Sequence, residues 1–569
     1  MNTTKTLLTR ILILFLFGFI IFSCNPTDDM IESEENETLP TVYDKAPKDE
    51  AGVMMQGFYW DVPMGGTWWN IIRAKMKPWA DAGINSVWFP PVSKGESGPY
   101  SVGYDPFDYF DFGNFEQKGT IETRYGSRNE MQAAINAAHN AGLQVYADIV
   151  MNHNGGGDRE FNPNTGTYTN TSFKPASGYF PRSYNDFHPS TFNFADRNVF
   201  KQYPDVAHAN PWVAENFWSG PYSIAKYYKN VLGFDGWRFD WVDGFAPEYV
   251  RKFVEAAPGF AVTEFWGNTG ESVSQIQACI NGSGQPSFDF PAVKAMAAAF
   301  NGNNLRELVT RNMLCKANPD KAVTFVANHD IDEIPDYRKL QAYAFILAHE
   351  GIPCIFYSDY ENLLNKGQVN TLIWIHKNLA KGRTRVLYAD NDEYIAQMNG
   401  NPGLIIYINT SNSGKSRRIR SKWRNANLHD FANFDPNDKA TNANGDVTLW
   451  APANAFTIWS KDGNVTNPDN DTKTITLRIQ KNVFMGNSIF FTGNTDALTN
   501  WGGGVEGNWN DRNFWTVDLK LPKNLRNLQW KVRRGSTGGT GSDWESGNNH
   551  YIANPVDGQT YTVTFNGGF

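Results

Sequence analysis

The sequence predicts an α/β fold: a (β/α)8 TIM barrel with a small subdomain inserted after its third strand, followed by an antiparallel β domain and a C-terminal β-sandwich. Three observations lead there. Between residues 48 and 382, eight short apolar runs alternate with segments of helical periodicity; apolar strands covered by helices form a parallel sheet, and eight such units close into a barrel. From 383 to 462 the hydrophobic period changes to two, broken by turn residues, as in an antiparallel sheet. A polar linker over 463–474 then precedes residues 475–569, a separate block of short strands.

In chain order, Lys5 and Arg10 precede the apolar run Ile11–Phe22. That run is too short to span a bilayer and has the length of an export-signal core, so residues 1–23 are set apart from the fold. It ends in Ser23-Cys24, which resembles a bacterial lipoprotein processing site with Cys24 as the lipidated first residue; an ordinary signal peptide with an incidental cysteine is the alternative. Residues 24–47 are acidic and poor in apolar side chains, and read as a disordered tether. The expected location is therefore a bacterial outer membrane, on either face, or the medium. Cys279, Cys315 and Cys354 show no CxxC spacing and read as buried thiols, neither a disulfide framework nor a zinc site.

Val53–Trp60 reads as the first strand and Thr67–Gly83 as a helix closed by glycine. Ser86–Pro91 is the second strand. Ser127–Gly142 combines a serine cap, a glutamate three residues on and a terminal glycine, the signature of a capped helix. Gln144–His153 is the third strand. Residues 154–211 lose this periodicity, and a structureless loop of that length is uncommon in a compact domain, hence the inserted subdomain. Alternation resumes with a strand inside Gly233–Gly244, a helix over 247–257, strands over Gly259–Trp266 and 286–291, and a helix over 292–300. Strand Ala322–Asp330, helix 337–351, strand Cys354–Tyr360 and helix Gln368–Lys381 complete the set.

Composition narrows the chemistry. A net charge of −8 without a long basic run argues against nucleic acid as a partner. Nineteen tryptophans suit stacking on the apolar faces of sugars. The chain is organised around GFDGWRFDWVDG, Gly233–Gly244, where period-two alternation puts Arg238 and Asp240 on one face and Trp237, Phe239 and Trp241 on the other. The arginine is expected to lower the Asp240 pKa and keep it ionised, as a nucleophile must be; a structural salt bridge is the other reading of this stretch taken alone. Function in such a barrel collects at the C-terminal ends of strands. Four predicted strands end in polar residues: Asn152-His153, Arg238 with Asp240, Glu264, and His329-Asp330. Three carboxylates at one mouth push one another's pKa values apart, leaving one protonated and one ionised, the pair that glycosidic cleavage requires.

DIVMNH, GWRFDW, TEFW and VANHD, in that order on eight βα units, resemble the four signature segments of the α-amylase family, glycoside hydrolase family thirteen. The resemblance covers about residues 51–460, and Gln56–Pro63, Lys94–Gly113 and Gln117–Ser127 bring it closest to the archaeal-type and plant-type members. It implies Asp240 as nucleophile, Glu264 as general acid/base and Asp330 as the carboxylate that binds and distorts the reacting sugar. Arg238, His153 and His329 match residues contacting that sugar, Tyr104 the tyrosine stacking on its face, and Trp266 lines the neighbouring subsite. The implied mechanism is retaining, with the Asp240 and Glu264 carboxyls about 5–5.5 Å apart.

A calcium site is implied at the side chains of Asn152, Asp196 and Asp205 with the backbone of Gly244 and of Asn198; hard oxygen donors suit Ca2+, which would staple the insertion to the barrel. A hydrogen-bonded loop without metal is the alternative. The archaeal relatives add a zinc site of two His and one Cys, of which only His188 remains here, Asn193 and Ala207 standing at the other positions, so no zinc is expected. Asp243 stands where the family usually has a lysine that reaches the leaving-group sugars. At the C-terminus, Ser488–Gly502, Leu521–Val532 and Ser542–His550 resemble the starch-binding modules of carbohydrate-binding family twenty, with Trp501 and Trp544 as stacking tryptophans, Lys531 and Asn549 as flanking hydrogen bonders, and Trp515 and Trp530 as core. The implied activity is endo-hydrolysis of α-1,4 bonds in starch and related α-glucans by a monomer. A glucan transglycosylase of the same family and a non-catalytic glucan-binding protein at the cell surface are the alternatives.

Overall fold

Eight parallel strands close on themselves: β1 (Met54–Gln56), β2 (Ser86–Trp88), β3 (Gln144–Ile149), β4 (Gly236–Phe239), β5 (Phe260–Thr263), β6 (Ser287–Phe288), β7 (Ala322–Phe325) and β8 (Ile352–Phe356), with β1 paired to both β2 and β8. This computed structural model describes residues 52–569 apart from 198–201, 462–471, 485, 510–512, 524 and 566–567. The expected export signal, the tether, Cys24, most of the linker and Asn198 lie outside the described residues.

The register of β3 with β4 sets Asp148 beside Arg238 and Ile149 beside Phe239. Gly236 lets these strands and β5 approach: a Cβ there would lie 2.4 Å from the Phe260 carbonyl and 2.6 Å from the Tyr146 ring. Alternation then sends Trp237 and Phe239 outward, edge-on against Phe253 of helix Glu248–Ala256, and leaves Arg238 facing the barrel interior. The expected capping box is present on helix Arg128–Asn140, where Ser127 and Glu130 satisfy each other's backbone amides.

Several elements differ from the sequence reading. The expected single helix over 67–83 is two, Trp68–Arg73 and Met76–Asp81, because Pro78 offers no amide to continue the first. Strand β6 stops at Phe288 because Asp289 caps the next helix, Phe290–Asn301, accepting from the Ala292 amide. Helix Val273–Ser283 and the helical turns between Pro211 and Leu232 were not read from the sequence. The first begins on a Ser272 cap and ends on left-handed Gly284, a signal present in the sequence, whereas the second region is interrupted at Gly220-Pro221 and has no continuous periodicity. The insertion after β3 contains the hairpin Asp158–Asn162 with Thr167–Ser172.

Beyond the barrel, strands between Thr384 and Lys461 form a six-stranded antiparallel sheet and a two-stranded one. The last sandwich begins at Thr472, three residues inside the stretch read as linker, and packs Trp515 and Trp530 in its core. It is clasped to the barrel by an ion cluster: Lys366 bonds Asp518 of the sandwich at 2.8 Å and Glu361 at 2.9 Å, and Lys75 bonds Glu361 at 2.6 Å. Burial alone would raise the Glu361 carboxyl, but the two ammonium groups hold it down at about 2. Cys279, Cys315 and Cys354 are buried free thiols.

Candidate active site

One buried guanidinium organises the barrel mouth. Arg238, 1% exposed, reaches three carboxylates at 2.8 Å each: Asp148 on β3, Asp240 at the end of β4 and Glu264 at the end of β5. The first contact follows from strand register, the second from the two-residue spacing on one face, and the third from Glu264 standing one residue past β5. After Asp240 the backbone turns sharply: Trp241 adopts φ 39° and ψ 61°, a left-handed conformation costly for a bulky residue. The Trp241 amide donates to Glu264 Oε2 at 3.0 Å. The Trp266 indole donates to Glu264 Oε1 at 3.1 Å, its ring stacked on Phe290 at 4.1 Å. Both oxygens of that carboxyl are therefore fixed.

Asp330, from the loop after β7, joins the same mouth; its carboxyl is half-open to solvent and lies 3.2 Å from His329 Nε2. Gln56 Nε2 donates to His329 Nδ1 at 2.9 Å, so the ring proton sits on Nε2, toward Asp330. Tyr104 stacks on the His329 ring at 5.2 Å and 9°, and its hydroxyl donates to Asp148 Oδ2 at 2.8 Å. His153 Nε2 donates to the Tyr104 carbonyl at 2.9 Å. The structure thus brings together Asp240, Glu264, Asp330, Arg238, Tyr104, His153, His329 and Trp266.

The electrostatics differ from the sequence expectation in one respect. Arg238 was expected to lower the Asp240 pKa; instead burial pushes Asp240 well above the ordinary carboxylate range, with Arg238 pulling back and Glu264, Asp148 and Asp330 adding to the rise. Asp148 is raised by burial against the pull of Arg238. Although its side chain is 37% exposed, partial desolvation at the barrel mouth and then the Glu264 charge lift Asp330 to about 7. Asp148, Asp240 and Asp330 all rise around one guanidinium, so they titrate as a unit, and Asp240 is nucleophilic in the state in which its carboxylate is ionised against Arg238 at 2.8 Å. Burial holds His153 down at about 4 and His329 well below its ordinary value, so both imidazoles are neutral.

Three residues of this mouth were not singled out from the sequence. Asp148 lies in the quoted DIVMNH segment; an acidic residue inside an apolar strand must meet a cation, and the neighbouring strand offers only Arg238. Trp60, exposed at the end of the first strand segment, lies parallel to Tyr104 at 6.0 Å and 3°. Gln56 orients His329 from β1.

The expected calcium donors gather beside β3. Asn152 Oδ1 and Asp196 Oδ2 are buried with no hydrogen-bond partner among the described residues. Gly244 lies so close that a Cβ on it would be 1.9 Å from Asn152 Oδ1. Asp205 Oδ2 accepts from His188 Nδ1 at 2.7 Å, and His188 Nε2 and His208 Nδ1 lie 3.7 and 3.5 Å from the Asp196 carboxyl. Among the described residues no three His, Cys, Asp or Glu side chains are grouped to hold an ion. The donors that fit a hard cation are instead a mixed set of amide, carboxylate and backbone oxygens, two of them buried without partners. Asn193 donates to Asp196 Oδ1 at 3.0 Å.

On the C-terminal sandwich the Trp501 and Trp544 rings lie 6.5 Å apart at 39°, with Trp544 exposed and Arg533 stacked against it. Lys531 donates to the carbonyls of Glu545 at 3.1 Å and Gly547 at 2.6 Å, so its ammonium braces the Trp544 loop. Asn549 donates to Gln529 at 3.1 Å.

Comparison with known proteins agrees with this fold. Residues 39–370 match the family described as "Alpha amylase, catalytic domain", 404–460 match "Alpha-amylase C-terminal", and 472–564 match "Starch binding domain". The chain is 30% identical over 406 residues to a glucan 1,4-alpha-maltohexaosidase of Bacillus sp. (strain 707), covering 61% of this chain and 78% of that one. It is 31% identical over 421 residues to an alpha-amylase of Geobacillus stearothermophilus, covering 62% and 75%. A glucan 1,4-alpha-maltotetraohydrolase of Roseateles saccharophilus is 26% identical over 568 residues, 90% of this chain and 95% of that one. Among solved structures, an Anoxybacillus alpha-amylase shares the fold with a TM-score of 0.56 at 17% identity, over 73% of this chain and 99% of that one. With its catalytic-domain match spanning more than half of its residues, the chain belongs to the α-amylase family of glucan hydrolases and carries a C-terminal starch-binding domain.

Proposed function

We propose that this enzyme cleaves internal α-1,4 bonds of starch and related glucans with retention of configuration, Asp240 acting as nucleophile and Glu264 as general acid/base. The observation that carries the reading is that Arg238 bonds both carboxylates at 2.8 Å from the ends of neighbouring strands, with Asp330 as a third at the same mouth. Glu264 gives its proton to the glycosidic oxygen as an Asp240 oxygen attacks the anomeric carbon and the bond to the leaving sugar breaks. Water, losing a proton to Glu264, then attacks the same carbon and frees Asp240. Asp330 and the neutral His153 and His329 bind the hydroxyls of the reacting sugar, the Tyr104 ring supports its face, and Trp266 lines the neighbouring subsite.

The test is digestion of soluble starch, with chain length followed by chromatography and anomeric configuration by NMR during the first turnovers. Short linear products that appear first as the α-anomer support the assignment; β-anomers or cyclic glucans overturn it.

Two further assignments belong to this reading. Asn152, Asp196, Asp205 and the backbone of Gly244 would hold Ca2+, which supplies a structural tie between the insertion and the ends of β3 and β4. Chelator dialysis is expected to lower Tm by several degrees, with recovery on adding Ca2+ but not Mg2+; an unchanged Tm would remove the calcium. Trp501 and Trp544 would receive a glucan chain on the starch-binding domain. Trp544→Ala is expected to weaken adsorption to granular starch about 10- to 30-fold, the loss of one stacked indole, with kcat on short soluble oligosaccharides unchanged.

A further inference from the structure

Asp243 follows the Asp240 turn and lies in the tight turn Val242–Gly244, with its carboxyl directed at the chain that leaves β5. Its Oδ2 accepts from the Trp266 amide at 2.6 Å and its Oδ1 from the Gly267 amide at 2.7 Å. A second link runs alongside, the Val242 amide donating to the Glu264 carbonyl at 2.8 Å. The residue is 7% exposed, so the carboxyl is not a solvated surface charge that happens to touch the loop. Two consecutive amides held by two oxygens of one carboxylate fix the peptide plane between them, and such charge-assisted bonds are short and strong. The residue held in this way is Trp266, whose indole donates to Glu264 Oε1 at 3.1 Å and whose ring rests on Phe290. Gly267 continues the loop at φ 60°, a left-handed conformation that favours glycine, and Gln275 Oε1 accepts from the next amide, Asn268, at 3.1 Å.

We propose that Asp243 is a positioning residue for the general acid/base: by clamping the Trp266 and Gly267 amides it fixes the indole that orients the Glu264 carboxyl. The inference rests on the reading of Glu264 as the proton donor. A lysine, which the family resemblance implies at this position, would supply neither acceptor, so the brace on the β4 and β5 loops depends on aspartate.

The test separates proton donation from general integrity. Full-length Asp243→Asn, Trp266→Phe and the double variant are compared with wild type on soluble starch and on maltosyl fluoride, whose leaving group needs little help from an acid. Both single variants are expected to lose on the order of 10- to 100-fold in kcat/KM on starch and at most a few-fold in kcat/KM on the fluoride, the quantity that reports the step in which the leaving group departs. The double variant is expected to be no worse than Trp266→Phe, because the two residues act through one carboxyl. Equal losses on both substrates, or additive losses in the double variant, would overturn the positioning role. Glu264→Gln is the control, read in kcat/KM because water attack needs the Glu264 base with either substrate: if it too lost equally in kcat/KM on both, the acid/base assignment would fail, whereas a differential for Glu264→Gln without one for Asp243→Asn would remove only Asp243. Should Asp243→Asn not fold, Trp266→Phe carries the same substrate comparison, and failure of its differential overturns the proposal.

Discussion

Asp240→Asn is expected to reduce kcat on starch by at least about four orders of magnitude while the protein folds as before. An amide oxygen is a poor nucleophile, so the covalent intermediate does not form. Arg238 keeps two of its three carboxylate partners, Asp148 and Glu264, each at 2.8 Å, and the side-chain volume is unchanged. Stability is expected to move the other way. Because the folded-state pKa of Asp240 is raised, ionising it in the fold carries a cost that is absent below the unfolded value near 4 and grows as pH rises. Tm of the variant should therefore equal that of wild type near pH 4 and match or exceed it at pH 8. Calorimetry at both pH values with reducing-sugar release checks this, and an active Asp240→Asn protein would end the nucleophile assignment.

Arg238→Met is expected to have the largest effect on stability. It leaves three carboxyls around an apolar side chain, one of them, Asp148, with a fully buried side chain. Removing one partner of a buried charge pair costs about 3–5 kcal/mol, because the remaining charge is uncompensated. At neutral pH the variant should unfold roughly 3–6 °C below wild type. The deficit should shrink as pH falls toward 4, since carboxyls that lose their cation titrate at still higher pH and become neutral on acidification. Arg238→Lys should fall between the two, an ammonium lacking the fork that reaches three acceptors. Equal Tm values for Arg238→Met and wild type at pH 7 would contradict the burial of this network.

Much of the site was legible in the chain because barrel topology turns local signals into a shared location. Asn152-His153, Arg238 with Asp240, Glu264 and His329-Asp330 each follow an apolar run, and parallel strands put all such ends on one rim. The helix at Arg128–Asn140 was readable because its cap is made by residues three apart. Strand β6 was read too long because an apolar run does not reveal that Asp289 also accepts the amides of Leu314 at 3.0 Å and Cys315 at 2.7 Å, far along the chain.

By itself the sequence determined the order of the eight βα units, the face on which Arg238 and Asp240 lie, and the carboxylates available at the rim, since these depend on period and on residue type. Tertiary structure decided the charge states and the bracing. Asp148 became a partner of Arg238 through strand register, burial outweighed the guanidinium at Asp240, and the Asp243 carboxyl met the Trp266 and Gly267 amides through the fit of two loops. Each of these depends on distance and solvent exclusion between residues remote in the chain, quantities that no local pattern encodes.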